Sequence, residues 1–275
     1  MFEPLTILWI ALTGLIAGTL GGMLGVGGSV IMIPALVILF GQNEHAGFHQ
    51  HLYQAAAMIV NLTVVLPALI RHARAGAVVR GALLRILPVA LAAVVVGVGV
   101  SNLPIFSPDR QYAGATGPQW LGRVLAAFLV YVIYVNIRRL IAGRPESMGQ
   151  SKVTAARGAA VGGPMGFVAG LMGVGGGAVA VPLQQTFMRL PLRNCIANST
   201  AIICITAGVG ALIKNATLPD DVSWVDSLKL AGLLAPTAII GGYLGGGLTH
   251  VLPVKIVRIA FIGLLLVAAW KLAGI

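Results

Sequence analysis

Gly22-Met-Leu-Gly25-Val-Gly27-Gly28-Ser29-Val-Ile-Met-Ile-Pro34 recurs downstream as Gly170-Leu-Met-Gly173-Val-Gly175-Gly176-Gly177-Ala-Val-Ala-Val-Pro182. The copies align without a gap at a shift of 148 residues (25 to 173), and Gly18 falls on Gly166. Each copy lies inside an apolar run, where clustered glycines need a reason. A glycine in a helix interior costs about 0.5–1 kcal/mol relative to alanine. Four or five together predict a break. Each copy therefore reads as an elbow between two helices, the second pointing its N-terminus into the protein near mid-membrane. Such an N-terminus offers free N–H groups and partial positive charge, a natural anion site.

The surrounding composition sets the solvent. Of 275 residues, 58% are hydrophobic and 9% charged, with a mean hydropathy of +0.95. A soluble domain carries about 25% charged residues. The chain is therefore an all-α polytopic membrane protein. Met1-Phe2-Glu3-Pro4 lacks the basic region of a signal peptide, so none is expected. The formal charge of +11 is explained by basic cytoplasmic loops rather than by nucleic acid. Cys195 and Cys204, nine apart on one predicted helix, are separated by about 13 Å, too far for a disulfide.

Residues 5–40 form one nearly unbroken apolar run. As a single helix it would span about 54 Å, against a hydrocarbon core of about 30 Å. It must fold back at the glycines. The second arms are short and carry Pro34 and Pro182, which predict kinks. The repeat continues past the elbows: Pro88 falls on Pro236, Gly97 on Gly245 and Gly99 on Gly247. This gives a first transmembrane repeat at 1–145, a cytoplasmic linker at 146–157 and a second repeat at 158–275. Each repeat is a glycine-rich broken-helix hairpin plus three transmembrane helices, about 8–10 segments in all.

With the fold-back, Arg110, Arg123, Lys214, Lys229 and Lys271 fall on one side of the membrane and the other 13 of the 18 basic residues on the opposite side. The positive-inside rule makes the basic side cytoplasmic and both termini extracytoplasmic. An odd number of crossings per half also inverts the halves. Inverted repeats with broken helices are a secondary-transporter architecture, with the site at their interface.

The candidate substrate-binding residues are the elbow glycines Gly25, Gly27, Gly28, Gly173, Gly175, Gly176 and Gly177, with Ser29 in the first turn of its arm. The helices after the elbows add Asn61 and the run Asn198-Ser199-Thr200. Gln54 and Asn61 are seven apart and share a face. Matching the helix ends Arg71 and Lys214 sets Asn61 against Cys204 and Thr63 against Thr206. The outer glycines, Gly14 to Gly22 and Gly162 to Gly170, fit close helix packing. No acidic or basic residue lies near the middle of any segment, so a proton relay is not visible. An anion would be held by helix N-termini, hydroxyls and amides, without a buried cation. His45, His49 and His51 share a loop; a metal site there would need the loop to be helical, and no metal or other cofactor is expected. No nucleophile–base pair or phosphate loop points to an enzyme.

The doubled Gly-x-x-Gly-x-Gly-Gly element, the following proline and the Asn-Ser-Thr helix resemble the sulfite exporter TauE/SafE family, also called the toluene sulfonate uptake permeases. The resemblance covers essentially the whole chain. It implies a bacterial or archaeal cytoplasmic-membrane permease for sulfite, sulfonates or related small anions. In the first half, Ala55-Ala56-Ala57 stands where the family tends to have a Thr-Ser-like pair, which shifts weight to the second half. The expected partners are a small anionic substrate and the lipid bilayer; a coupling ion (H⁺ or Na⁺) and a homodimer stay open. Two rival readings stand: a permease for another small anion such as a carboxylate, and a membrane assembly partner with no transport of its own.

Overall fold

The computed structural model describes residues 4–41, 50–106, 111–112, 114–142, 151–219, 222–249 and 251–253, together with scattered helical positions between 255 and 270. The expected breaks are present. Helix α1 (Pro4–Leu24) stops before the first glycine cluster and α2 (Ser29–Phe40) starts after it. Likewise α6 (Ala155–Met172) stops and α7 (Gly177–Leu183) starts around the second. Between these pairs run α3 (Gln50–Arg74), α4 (Arg80–Ser101) and α5 (Gly117–Ala142). After them come α8 (Leu192–Ala216) and α9 (Trp224–Leu248). A two-residue hairpin, Gln111–Tyr112 with Ala115–Thr116, precedes α5.

Six of these helices, α1, α3, α4, α5, α8 and α9, are long and apolar enough to cross a membrane. Their outer faces are apolar too. Leu84 is 70% exposed, Leu212 76% and Ile141 80%. Patches of this kind are disfavoured in water and are at home in lipid. Arms α2 and Gly177–Met188 are 12 residues each, about 18 Å, too short to span. Only the second arm changes winding: it continues past Pro182 as one wide π turn, Gln184–Met188, and stops at Arg189 with φ 54°.

The outer glycines bring the two ends of the chain together. Gly14, Gly18 and Gly22 of α1 lie against the backbone oxygens of Leu234, Ala238 and Gly242 of α9. Gly162, Gly166 and Gly170 of α6 lie against those of Ile86, Ala90 and Val94 of α4. Glycines and partners alike are displaced by 148 residues (14 to 162, 86 to 234). The hairpin helix of each segment thus packs on the helix that follows the other segment's long polar helix: α1 on α9, after α8, and α6 on α4, after α3. Only a residue without a side chain lets the backbones approach so closely.

Helices α3 and α8 cross this framework in opposite directions. At one end, the start of α3 meets the end of α8: Lys214 Nζ is 2.8 Å from His51 Nδ1. At the other, the start of α8 meets the loop after α3: Asn194 Nδ2 donates to Ala77 O at 2.8 Å. The arms leave by opposite ends. Tyr53 OH donates to Gly41 O beyond α2, and Lys152 N donates to Met188 O at the end of the second arm.

Candidate functional site

The elbows turn on positive backbone angles. Gly25 and Gly27 have φ of 63° and 82°, and Gly173, Gly175 and Gly176 have φ of 70°, 71° and 71°. L side chains rarely adopt these values. Space is also lacking. A Cβ on Gly27 would lie 2.9 Å from Asn61 Oδ1, and one on Gly175 2.9 Å from Asn61 Nδ2. A Cβ on Gly177 would meet Gly25 O and, at 2.6 Å, Val26 Cα. The two elbows therefore touch each other, with Asn61 wedged between them. Asn61 is the twelfth of the 25 residues of α3, so the junction sits halfway along a spanning helix.

Three polar side chains hold the first elbow. Asn61 Oδ1 accepts from Ser29 N at 3.0 Å, and Asn61 Nδ2 donates to Ser29 Oγ at 2.7 Å. The carboxamide thus caps α2, whose N-cap residue Gly28 has no side chain to do so. Ser199 Oγ donates to Gly25 O at 2.6 Å. All three side chains are fully buried. Polar groups from both parts of the chain converge on the first elbow, although the alanine run had shifted the expectation to the second part.

The second elbow is apolar at the matching positions. Helices α3 and α8 are both 25 residues long and start 142 residues apart (50 to 192). In that register Asn61 corresponds to Ile203, and Ile203 does face Gly175 and Gly177. The sequence match of Asn61 to Cys204 is one residue off, because Arg71 and Lys214 do not end their helices at equivalent positions. The corrected register pairs Ser199 with Ala57, which has no hydroxyl to offer Gly173.

The remaining predicted residues sit elsewhere. Gly28 lies under Ala17 O and the Met32 side chain, and Gly176 under Met165 O. Thr200 Oγ1 donates to Ile196 O of its own helix at 2.9 Å. Asn198 turns away from the elbows: its Oδ1 accepts from Val79 N at 2.8 Å and its Nδ2 donates to Gln184 Oε1 at 3.2 Å. Asn198 and Gln184 thus tie the π turn to the loop before α4. Gln184 was not singled out in the sequence; its place two residues after Pro182 was the available signal.

Lys214 corrects the expectation that no cation is buried. It is fully buried, 2.8 Å from Ser101 Oγ and 3.1 Å from Asn102 Oδ1 as well as touching His51. It lies in the last turn of α8, where polarity is unremarkable by sequence. His45 and His49 lie outside the described residues. Cys195 and Cys204 form no disulfide, and Cys195 Sγ donates to Leu190 O at 3.4 Å.

A family model described as "Sulfite exporter TauE/SafE" matches residues 10–272. The chain belongs to the sulfite exporter TauE/SafE family. Among its relatives is "Probable membrane transporter protein MamO" of Magnetospirillum gryphiswaldense, 26% identical over 273 residues, covering 92% of this chain and 42% of the relative. The protein of the same name from Paramagnetospirillum magneticum is 24% identical, with 92% and 42% covered. "Probable membrane transporter protein YunE" of Bacillus subtilis is 22% identical, with 94% of each chain covered. This TauE/SafE chain thus spans about two-fifths of the length of the MamO relatives and nearly all of YunE. No solved structure matches it.

Proposed function

We propose that this chain is a permease for a small sulfur-containing oxyanion, such as sulfite or a sulfonate, bound where the two elbows meet. The observation that carries the reading is the Asn61 carboxamide. Its Oδ1 occupies the acceptor position at the N-terminus of α2, where the helix dipole favours a negative group. A neutral amide oxygen there stands in for an anion's oxygen. An arriving anion takes the Ser29 N–H and hydroxyl, and Asn61 swings aside to donate through Nδ2.

The 148-residue correspondence of packing contacts and the antiparallel run of α3 and α8 support two homologous, inverted repeats at 1–145 and 158–275. In such a pair, an interface site opens to either side by rocking one repeat against the other. By the positive-inside rule, the excess of basic residues supports a cytoplasmic position for the Arg80, Lys152 and Arg193 end and an outer position for the Lys214 end. An uncoupled anion would then be driven outward, gaining about 2.3 kcal/mol per charge per 100 mV with the inside negative. Uptake would require a coupling ion. Flux of sulfite and sulfoacetate in proteoliposomes tests the reading, alongside thermal stabilisation by sulfite, sulfoacetate, taurine and acetate. Stabilisation and flux confined to the sulfur anions support it. Preference for acetate replaces the substrate class, and absence of any flux leaves an assembly partner.

A further inference from the structure

Gln50, the first residue of α3, is fully buried, and neither its Oε1 nor its Nε2 has a hydrogen-bond partner among the described residues. One turn on, Gln54 is also fully buried. Its Nε2 donates to Leu171 O at 3.4 Å, which fixes the amide's orientation, yet its Oε1 is unpartnered. At 100° per residue, positions 50, 54 and 61 fall within about 40° of one another on α3. The three carboxamides therefore rise in file to the junction of the elbows. From Gln50 to Asn61 is about 16 Å along the axis, half of a hydrocarbon core of about 30 Å.

An amide atom buried without a partner costs about 1–3 kcal/mol. Three such atoms on one line, aligned with the residue that caps α2, mark places that a partner fills. At the same end of the bundle lies Lys214, whose Nζ is 2.8 Å from Nδ1 of His51, the neighbour of Gln50 in the chain. Among the described residues its partners are His51, Ser101 and Asn102, and none of them is a carboxylate. A buried lysine thus lies at the same end of the bundle as amides free to receive a ligand.

We propose that Gln50 and Gln54 are binding stations on the solute's route between the Lys214 end of the bundle and the elbows. The ligand class is a small hydrated oxyanion. Gln50 Nε2 donates to its oxygens. The carbonyl oxygens of Gln50 and Gln54 accept from the water or acid hydroxyl that travels with it. This rests on the reading that the elbow junction binds an anion.

The test uses the full chain in proteoliposomes, with Cys195 and Cys204 replaced by alanine and a single cysteine at Gln50 or Gln54. An anionic, membrane-impermeant methanethiosulfonate reagent should label both positions from one side, Gln50→Cys faster than Gln54→Cys. Sulfoacetate should slow the labelling at least about threefold. Leu212→Cys, facing lipid, should stay unlabelled. Gln54→Leu should lower sulfoacetate flux at least about tenfold while thermal stabilisation by sulfoacetate is retained. Failure of both cysteines to label, or wild-type flux through Gln54→Leu, overturns the stations. Loss of sulfoacetate stabilisation in the wild-type chain would instead overturn the elbow site itself, so the two failures are distinguishable.

Discussion

Replacing Asn61 with aspartate changes one NH₂ to an oxygen and leaves the volume nearly constant. The remaining carbonyl-like oxygen still accepts from Ser29 N, and the new one accepts from Ser29 Oγ, whose hydroxyl can turn to donate. The variant fills the α2 N-terminus with a tethered anion, a placement that stabilises by about 0.3–1 kcal/mol and up to about 2 when partly buried. A solute anion then meets a like charge. At about 4 Å and an effective dielectric near 20, the repulsion is about 4 kcal/mol, equivalent to a roughly 1,000-fold loss of affinity. Asn61→Ala does the opposite. It strands Ser29 N without an acceptor, costing about 1–3 kcal/mol of stability, and leaves the position open. A bound anion recovers that bond, so its stabilising effect should exceed that on wild type. The assays are sulfoacetate flux in proteoliposomes and thermal stabilisation by sulfoacetate. Expected are a folded Asn61→Asp protein with no measurable flux or anion stabilisation, and an Asn61→Ala protein that melts earlier but gains more from anion. Wild-type flux through Asn61→Asp, or an Asn61→Ala protein that folds but ignores anion, would refute the idea that this amide holds the solute's place.

Ser199→Ala removes the 2.6 Å bond to Gly25 O and should cost about 1 kcal/mol of stability, read from the melting temperature in detergent. Gly18→Leu and Gly166→Leu should be equally damaging, because their backbone contacts on Ala238 and Ala90 are counterparts. Overpacking of about 1–3 kcal/mol should cut the folded yield of both, and a harmless change at one of them would break the correspondence. In a cysteine-free chain, Lys152→Cys and Leu103→Cys should react with an impermeant thiol reagent from opposite faces of oriented vesicles. Labelling from the same face would contradict the proposed topology.

The breaks at the elbows were legible because their physical cause is local. Clustered glycine destabilises helix in any context, and the apolar run was too long for one span. Helix pairing was legible only in outline: the four-residue spacing of Gly14, Gly18 and Gly22 announced a close contact without naming its partner. The roles of polar side chains were least legible. Asn198, Ser199 and Thr200 are consecutive, so on a helix they point 100° apart, and three adjacent polar residues need not share a cavity. Ser199 meets the elbow, Thr200 bonds its own helix and Asn198 ties a loop. The buried state of Lys214 depends on three segments distant in sequence, which no local pattern encodes.

The broken symmetry of the junction bears on how many anions one chain holds. A perfect repeat would cap both inner helices alike and give two equivalent positions. Here Ser29 faces Asn61, whereas its counterpart Gly177 faces Ile203. Ile203 and Ala57 offer no hydrogen bond where Asn61 and Ser199 offer three between them. The second arm also continues through a π turn, while α2 runs unbroken as α-helix to Phe40. Two anions a few ångströms apart would repel strongly in a low-dielectric interior, so one polar elbow and one apolar elbow suit a single-anion site. On the proposed reading, the glycine packing between the repeats is kept in both copies, and the anion-binding chemistry in one. A stoichiometry of two bound sulfoacetate ions per chain by equilibrium dialysis would contradict this division of labour.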